Sequence, residues 1–153
     1  RSDRERDQDF AYQVLDRWEY GVVAMTGAEG VPYCIPLSLV RVADKLYFHC
    51  ALEGTKLDLL RRNPQVCISF VGLHQPAEDK FTTYFQSANV VGTASEVTDD
   101  QEKILALRAL CEKLTPSNMT GDRFDRAIAK SLPRTGVWRI QIEEITGKEK
   151  AKA

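Results

Sequence analysis

One short stretch of the chain changes character three times: YFHCALEGTKLDLLRRNP, residues 47–64. It begins as an apolar, strand-like run and turns polar at its histidine. The corner Gly54-Thr55-Lys56 follows, and leucines at helical spacing then predict a helix from about Lys56. Thr55 is a suitable helix N-cap, and Pro64 ends the helix because proline cannot continue it. The stretch therefore predicts a buried strand that leads directly into a helix with a basic first turn.

This corner has the chemistry of a phosphate site. A helix N-terminus presents unpaired N–H groups and the positive end of the helix dipole. Glycine lets the backbone approach a ligand closely, while Thr55 adds a hydroxyl group and Lys56 a full charge. The GxxxxGK[ST] pattern of a P-loop is absent. On spacing alone, a capped helix with an exposed lysine explains the corner better than a phosphate site does.

Bulk composition narrows the class of protein. Hydrophobic residues make up 43% of the 153 residues and charged residues 28%, as in ordinary globular domains, and the net charge of -1 argues against a nucleic-acid partner. No apolar run approaches the ~20 residues that span a bilayer, and the charged arm at residues 1–7 is unlike a signal peptide. We therefore expect a cytoplasmic protein without a membrane partner. The four cysteines form no CxxC pair, which favours buried free thiols over a disulfide or a zinc site.

Hydrophobic periodicity predicts a mainly β, α+β domain over residues 1–153. Six strands joined mostly by hairpins indicate a small antiparallel barrel with peripheral helices rather than a βαβ sheet. The arm at residues 1–7 and the tail at residues 147–153 are expected to be flexible, and residues 72–80 to form a mobile loop. The predicted strands cover residues 21–26, 31–42, 45–50, 66–71, 83–97 and 136–145, and the predicted helices begin near residues 10, 56, 101 and 122.

Several blocks together resemble the FMN-binding split β-barrel family. That family includes relatives of pyridoxamine phosphate oxidase and the nitroimidazole-resistance (Nim-like) flavoproteins, to which the likeness is closest. The resemblance covers nearly the whole chain, although the substrate and phosphate arginines of pyridoxamine phosphate oxidase itself have no match. The blocks are GVVAMT, VPYCIPLSLV, YFHCALEGTK, TTYFQSANVVGTAS and VWRIQIEEITGKE.

The resemblance implies a six-stranded antiparallel split barrel that forms a homodimer, with FMN in the groove between two chains. It implies that Thr55 and Lys56 hold the FMN phosphate and that backbone near His49 lines the flavin. The resemblance also implies roles for further residues, as backbone neighbours of the flavin, walls of its ring system, polar contacts, or contacts made by the partner chain. These are Ala51 and Leu52 on the backbone side, Val23, Ala24, Met25, Pro36 and Leu37 as walls, Ser69 and Ser87 as polar contacts, and Trp138 and Arg139 toward the flavin of the partner chain.

By the same resemblance, the activity is that of an FMN-dependent oxidoreductase acting on a small organic acceptor such as a nitroaromatic. His49 is then the candidate catalytic residue, and as a strand histidine bonded to a backbone carbonyl it is an equally good structural residue. No nucleophile–base pair is recognisable, which fits a protein whose cofactor carries the chemistry. The alternative is a non-catalytic protein that stores or senses a flavin, a deazaflavin or haem.

Overall fold

Eight antiparallel strands form one curled sheet in the computed structural model, which describes residues 1–153. Four α-helices lie around it. The predicted antiparallel α+β fold is thus confirmed, but the number of strands is eight, not six. The strands are β1 (Glu5–Arg6), β2 (Tyr20–Thr26), β3 (Pro32–Ser38), β4 (Val40–Val42), β5 (Lys45–Cys50), β6 (Gln65–Ala77), β7 (Thr82–Glu96) and β8 (Gly136–Lys150), and the helices are α1 (Gln8–Arg17), α2 (Thr55–Arg62), α3 (Asp100–Leu114) and α4 (Arg123–Ser131).

The sheet curls round so that its two end strands, which are consecutive in the chain, lie close together. The hydrogen-bonded order is β3-β2-β6-β7-β8-β5-β4, with β1 added beside β8. The end strands β3 and β4 are consecutive in the chain and are separated only by Leu39, whose side chain is buried in the core. The single strand predicted over residues 31–42 is therefore wrong, since the chain leaves β2 at this leucine and joins β5.

Three segments that the sequence predicts to be flexible or a loop form paired strands in the structure. Residues 72–77, predicted as part of a loop, continue β6 as one arm of a hairpin with β7 beyond a register shift between Val71 and His74. Most of their side chains are exposed, which explains the misleading polarity. The arm forms β1, where Glu5 pairs with Lys148, and β8 runs through the predicted tail to Lys150.

Two apolar clusters hold the helices to the two faces of the sheet. Alternation along β5 sends Phe48 into the barrel interior with α1 and α2, and sends Tyr47 to the opposite face, which α3 and α4 cover. The N-cap of α3 is Asp99, whose side chain accepts a hydrogen bond from the Glu102 N–H at 2.9 Å. None of the helices combines the length and the apolar composition of a membrane-spanning segment.

Candidate functional site

The corner between β5 and α2 is open for an anion. Gly54 is the residue before α2 and has φ 154°, a backbone conformation essentially restricted to glycine. Its carbonyl accepts hydrogen bonds from the N–H groups of Leu57 and Asp58, both at 3.1 Å. The N–H groups of Thr55 and Lys56 have no partner. Thr55 is thus the first helical residue rather than the predicted N-cap, and two backbone donors remain free.

Lys56 is the free cation at this corner. Its ammonium group forms no ion pair, whereas Arg61, in the last turn of α2, lies 3.2 Å from Glu96 and 3.8 Å from Asp58. Burial raises the pKa of the neighbouring Cys50 thiol, and the charge of Lys56 opposes that shift. Two unpartnered N–H groups and one unpaired ammonium group can together bind a phosphate.

The outer face of the sheet carries a strip of small, uncharged side chains. Val22 lies directly between Pro36 and Ser69 in neighbouring strands, and Ala24 lies between Cys34 and Cys67. Cys34 and Cys67 are free thiols, and both are exposed rather than buried as predicted. We call this strip the outer patch; it comprises Val22, Ala24, Cys34, Pro36, Cys67, Ser69 and Val91.

Strand alternation divides the predicted ring walls between two faces. Val23 and Met25 are buried in the interior, and Leu37 packs against the same cluster, so these three do not face the outer patch. Ala24 and Pro36 do face it. Sequence reasoning missed Val22 and the two cysteines, although the alternating pattern of β2 already marks Val22 and Ala24 as one face.

The predicted polar and backbone contacts are spread over different parts of the fold. Ser69 belongs to the outer patch, and Ser87 pairs with Val71 further along the same face. Ala51 and Leu52 are exposed in the connection from β5 to α2. They therefore border the corner that holds Lys56.

His49 lies on the side of β5 that α3 covers. It is exposed and borders a cleft of about 160 Å³ with Leu107, Leu110 and Cys111 of α3. Its neighbour Cys50 packs on the opposite, interior side. The catalytic assignment of His49 thus remains a prediction.

Trp138 and Arg139 are consecutive residues on opposite faces of β8. Trp138 is 2% exposed and stacks on Phe48 with ring centroids 6.5 Å apart, so its ring packs within its own chain. Arg139 donates to Glu102 Oε1 at 2.6 Å, and the Tyr47 hydroxyl donates to the same oxygen at 2.9 Å. Burial would raise the pKa of Glu102, but these two donors outweigh it and lower that pKa. Arg139 is accordingly engaged within its own chain.

A comparison with models of protein families shows the class of this protein. A family model described as pyridoxamine 5'-phosphate oxidase matches residues 7–149. The chain belongs to that family, which confirms the resemblance seen in the sequence. A comparison with curated proteins finds no match.

Solved structures agree with this assignment. A candidate 5-nitroimidazole antibiotic resistance protein from Bacteroides thetaiotaomicron is 25% identical with TM-score 0.80, over 94% of this chain and 84% of that chain. An FAD-binding protein from Mesorhizobium loti is 22% identical with TM-score 0.72, over 97% and 98% of the two chains. An FAD and haem binding protein from Mycobacterium smegmatis is 20% identical with TM-score 0.78, over 97% and 74%. The last two likenesses show a shared fold.

Proposed function

We propose that this protein binds FMN between two copies of the chain and passes electrons from it to a small organic acceptor such as a nitroaromatic. The observation that carries the proposal is the corner at Gly54, where two free N–H groups adjoin the unpaired charge of Lys56. Family membership adds support, as do structural neighbours named for binding FAD or for nitroimidazole resistance.

The residues at the corner fit a terminal phosphate. The N–H groups of Thr55 and Lys56 and the Thr55 hydroxyl can donate hydrogen bonds, and the Lys56 ammonium group adds positive charge, where the ligand carries negative charge. When bound, FMN supplies the redox chemistry through its ring system. The protein's task is then to bind and orient the cofactor and to limit access to it.

The outer patch suits contact with a second copy of the chain. It has no charged side chain, and five of its members, Cys34, Pro36, Cys67, Ser69 and Val91, are exposed. Exposed apolar strips of this kind mark interaction surfaces. A second copy would cover the strip and provide the other wall of a cofactor groove.

Val22→Asp should weaken the dimer. A carboxylate in the middle of the patch would lose water on association, and we expect the dimer dissociation constant to rise about tenfold. Sedimentation velocity over a range of concentrations measures it. Leu105→Asp is the matched control, because Leu105 is 48% exposed on α3, away from the patch. A wild-type chain that sediments as a 17.3 kDa monomer at micromolar concentration would contradict the dimer.

The visible spectrum and redox behaviour of the purified protein test the proposed function. Flavin bands near ~450 nm that dithionite or NAD(P)H bleaches without oxygen, and that a nitroimidazole restores, are the expected result. If the nitroimidazole restores the flavin absorbance no faster than buffer alone does, the result would indicate a protein that stores or senses the flavin. A strong Soret band would show that the bound cofactor is haem rather than flavin.

His49→Ala should slow this restoring step about fivefold, or roughly 1 kcal/mol of barrier. His49 lies near the end of β5 that leads to the corner, while the FMN contacts expected there are with the backbone. The affinity for FMN should therefore change little. Stopped-flow absorbance at the flavin band gives the rate, and His74→Ala, the other histidine, is the control. Equal rates for wild type and His49→Ala would leave His49 with a structural role.

A further inference from the structure

The hairpin between β6 and β7 extends past the rest of the sheet. The last pairing of β6 with β2 is at Ser69, and the last pairing of β7 with β8 is at Phe85. Beyond these points, β6 and β7 have no neighbouring strand except each other. We call residues 72–84 the ribbon. A two-stranded hairpin is marginally stable by itself in water, so the ribbon needs further packing.

Only one side of the ribbon packs against its own chain. Ala77 and Tyr84 are buried, and the guanidinium carbon of Arg4 lies 5.8 Å from the centroid of the neighbouring Phe85 ring. The other side is in water, where Leu73 is 46% exposed. The apolar surface on that side has no cover within the single chain.

Phe81, at the tip of the ribbon, is the most exposed large apolar residue of the protein. Its exposed fraction is 101%, so no other residue of the chain covers the ring. Its φ of 49° and ψ of 42° lie in the left-handed region, where a hairpin turn ordinarily has glycine. A phenylalanine here adds both backbone strain and exposed apolar area, which fits a role outside the folding of the single chain.

The apolar surface continues from the outer patch to the ribbon. Val71 lies two residues beyond Ser69 in β6, and Tyr20 lies two residues before Val22 in β2, so both face the same side as the patch. Tyr20 is 57% exposed and Val71 55%. The ribbon begins at the next residue of β6, and the two surfaces are therefore contiguous.

The outer patch by itself is too small to hold two copies of the chain together. A stable interface buries about 800 Å² on each partner. Seven small, partly covered side chains provide on the order of 400 Å², since even an aromatic side chain buries only about 150–250 Å². Phe81 adds about 200 Å², and Tyr20, Val71 and Leu73 together add a comparable area. With the ribbon, the surface reaches the size that a stable dimer needs.

The charges at the tip favour a protein partner over a membrane. Glu78 and Asp79 lie just before Phe81, are exposed and form no ion pair. These two carboxylates outnumber the one cation of the turn, Lys80. The anionic surface of a bilayer would repel the tip before the ring could insert.

From these observations we infer that the ribbon docks on a second copy of the chain, with Phe81 as its anchor. The inference rests on the dimer of the proposed function and extends the contact beyond the outer patch. In a two-fold dimer each copy provides one ribbon and receives one, so two Phe81 rings are buried.

Phe81→Gly tests this docking on the full chain. Glycine adopts a φ of 49° without strain, so at concentrations where both proteins are monomeric the variant should resist urea at least as well as wild type. The dimer dissociation constant should nevertheless rise at least about thirtyfold, because two anchoring rings are lost. Sedimentation velocity over a range of concentrations measures this constant. Leu105→Ser, at an exposed leucine of α3, is the matched control and should associate like wild type.

Phe81→Trp reports the burial of the tip directly. Its fluorescence emission should move to shorter wavelength as rising concentration drives association, because the added indole leaves water. Leu105→Trp should show no such shift, since α3 lies away from the ribbon and the outer patch.

Three results would overturn the inference. A wild-type dimer whose dissociation constant is unchanged by Phe81→Gly would do so while leaving the proposed dimer and its cofactor intact. A wild-type chain that is monomeric at every concentration would remove the dimer and the docking together. Sedimentation with phosphatidylglycerol vesicles that wild type shows and Phe81→Gly loses would assign the tip to a membrane instead.

Discussion

Lys56→Ala should raise the dissociation constant for FMN about ten- to hundredfold, which is about 1.5–3 kcal/mol for one charge-assisted contact. Lys56 forms no ion pair in the free protein, so no internal contact has to be broken when a phosphate binds. The same substitution should leave the affinity for riboflavin nearly unchanged, because riboflavin lacks the phosphate. Titrating the apo protein with each flavin and following flavin fluorescence gives both constants.

Two controls make this experiment decisive for the corner. Lys130→Ala removes an exposed lysine of α4 that has no ion pair, and it should bind both flavins like wild type. Gly54→Ala strains a backbone with φ 154°, and it should weaken FMN without removing charge. If Lys56→Ala lost FMN and riboflavin affinity equally, the corner would not be a phosphate site.

The open corner at the start of α2 was predictable because its signals are local. A glycine that permits an unusual backbone, a helix start and a lysine occur within three consecutive residues, and no distant contact is needed to recognise them. Only the capping residue was wrong: the Gly54 carbonyl accepts the first helical hydrogen bonds, and the Thr55 side chain is left free. Capping depends on backbone angles that the residue types do not specify.

The walls of the proposed groove were harder to predict because they depend on which face of a strand is outside. The resemblance implies that all three residues 23–25 line the flavin ring. A strand, however, sends Val23 and Met25 inward and Ala24 outward. The register then places Ala24 between Cys34 and Cys67, which come from different parts of the chain. Residue types alone do not fix such a juxtaposition, because strand pairing is set by the whole sheet.

The predicted number of strands, six, was wrong for a related reason. The break at Leu39 has no glycine or unusual residue, since the chain changes partners there without a tight turn. Pro32 and Pro36 fit the edge position of β3, which pairs only with β2, because proline cannot donate to a further strand. The hairpin arm at residues 72–77 looked like a loop because its side chains are mostly in water, although its backbone is paired with β7.

Arg139 belongs to a hydrogen-bond network within its own chain. It forms a network with Glu102 of α3 and the hydroxyl of Tyr47, which is 3% exposed. This network fixes α3 against the face of the sheet opposite the barrel interior. Burial, and then the hydrogen bond to Glu102, raise the pKa of Tyr47 from 10.0 to about 12.

The stability of the protein should therefore fall in alkaline solution between pH 10 and pH 12. A tyrosine whose pKa is higher in the folded state holds its proton there while the unfolded chain loses it, so its contribution is complete below pH 10 and is lost as pH rises through 12. A shift of two units corresponds to about 2.7 kcal/mol of unfolding free energy. Urea unfolding at pH 8, 9, 10 and 11 measures the decline up to pH 11.

Tyr47→Phe separates this effect from the other groups that titrate in the same range. Lys113, whose pKa burial lowers, acts with the opposite sign, and its contribution is common to both proteins. At pH 8 the variant should be about 1 kcal/mol less stable than wild type, because Glu102 loses a donor. As pH rises above 10 the wild type should lose this advantage and then become the less stable of the two. A difference between the two proteins that stays constant from pH 8 to pH 11 would show that the pKa of the Tyr47 hydroxyl is the same in the folded and the unfolded chain, and would contradict the prediction.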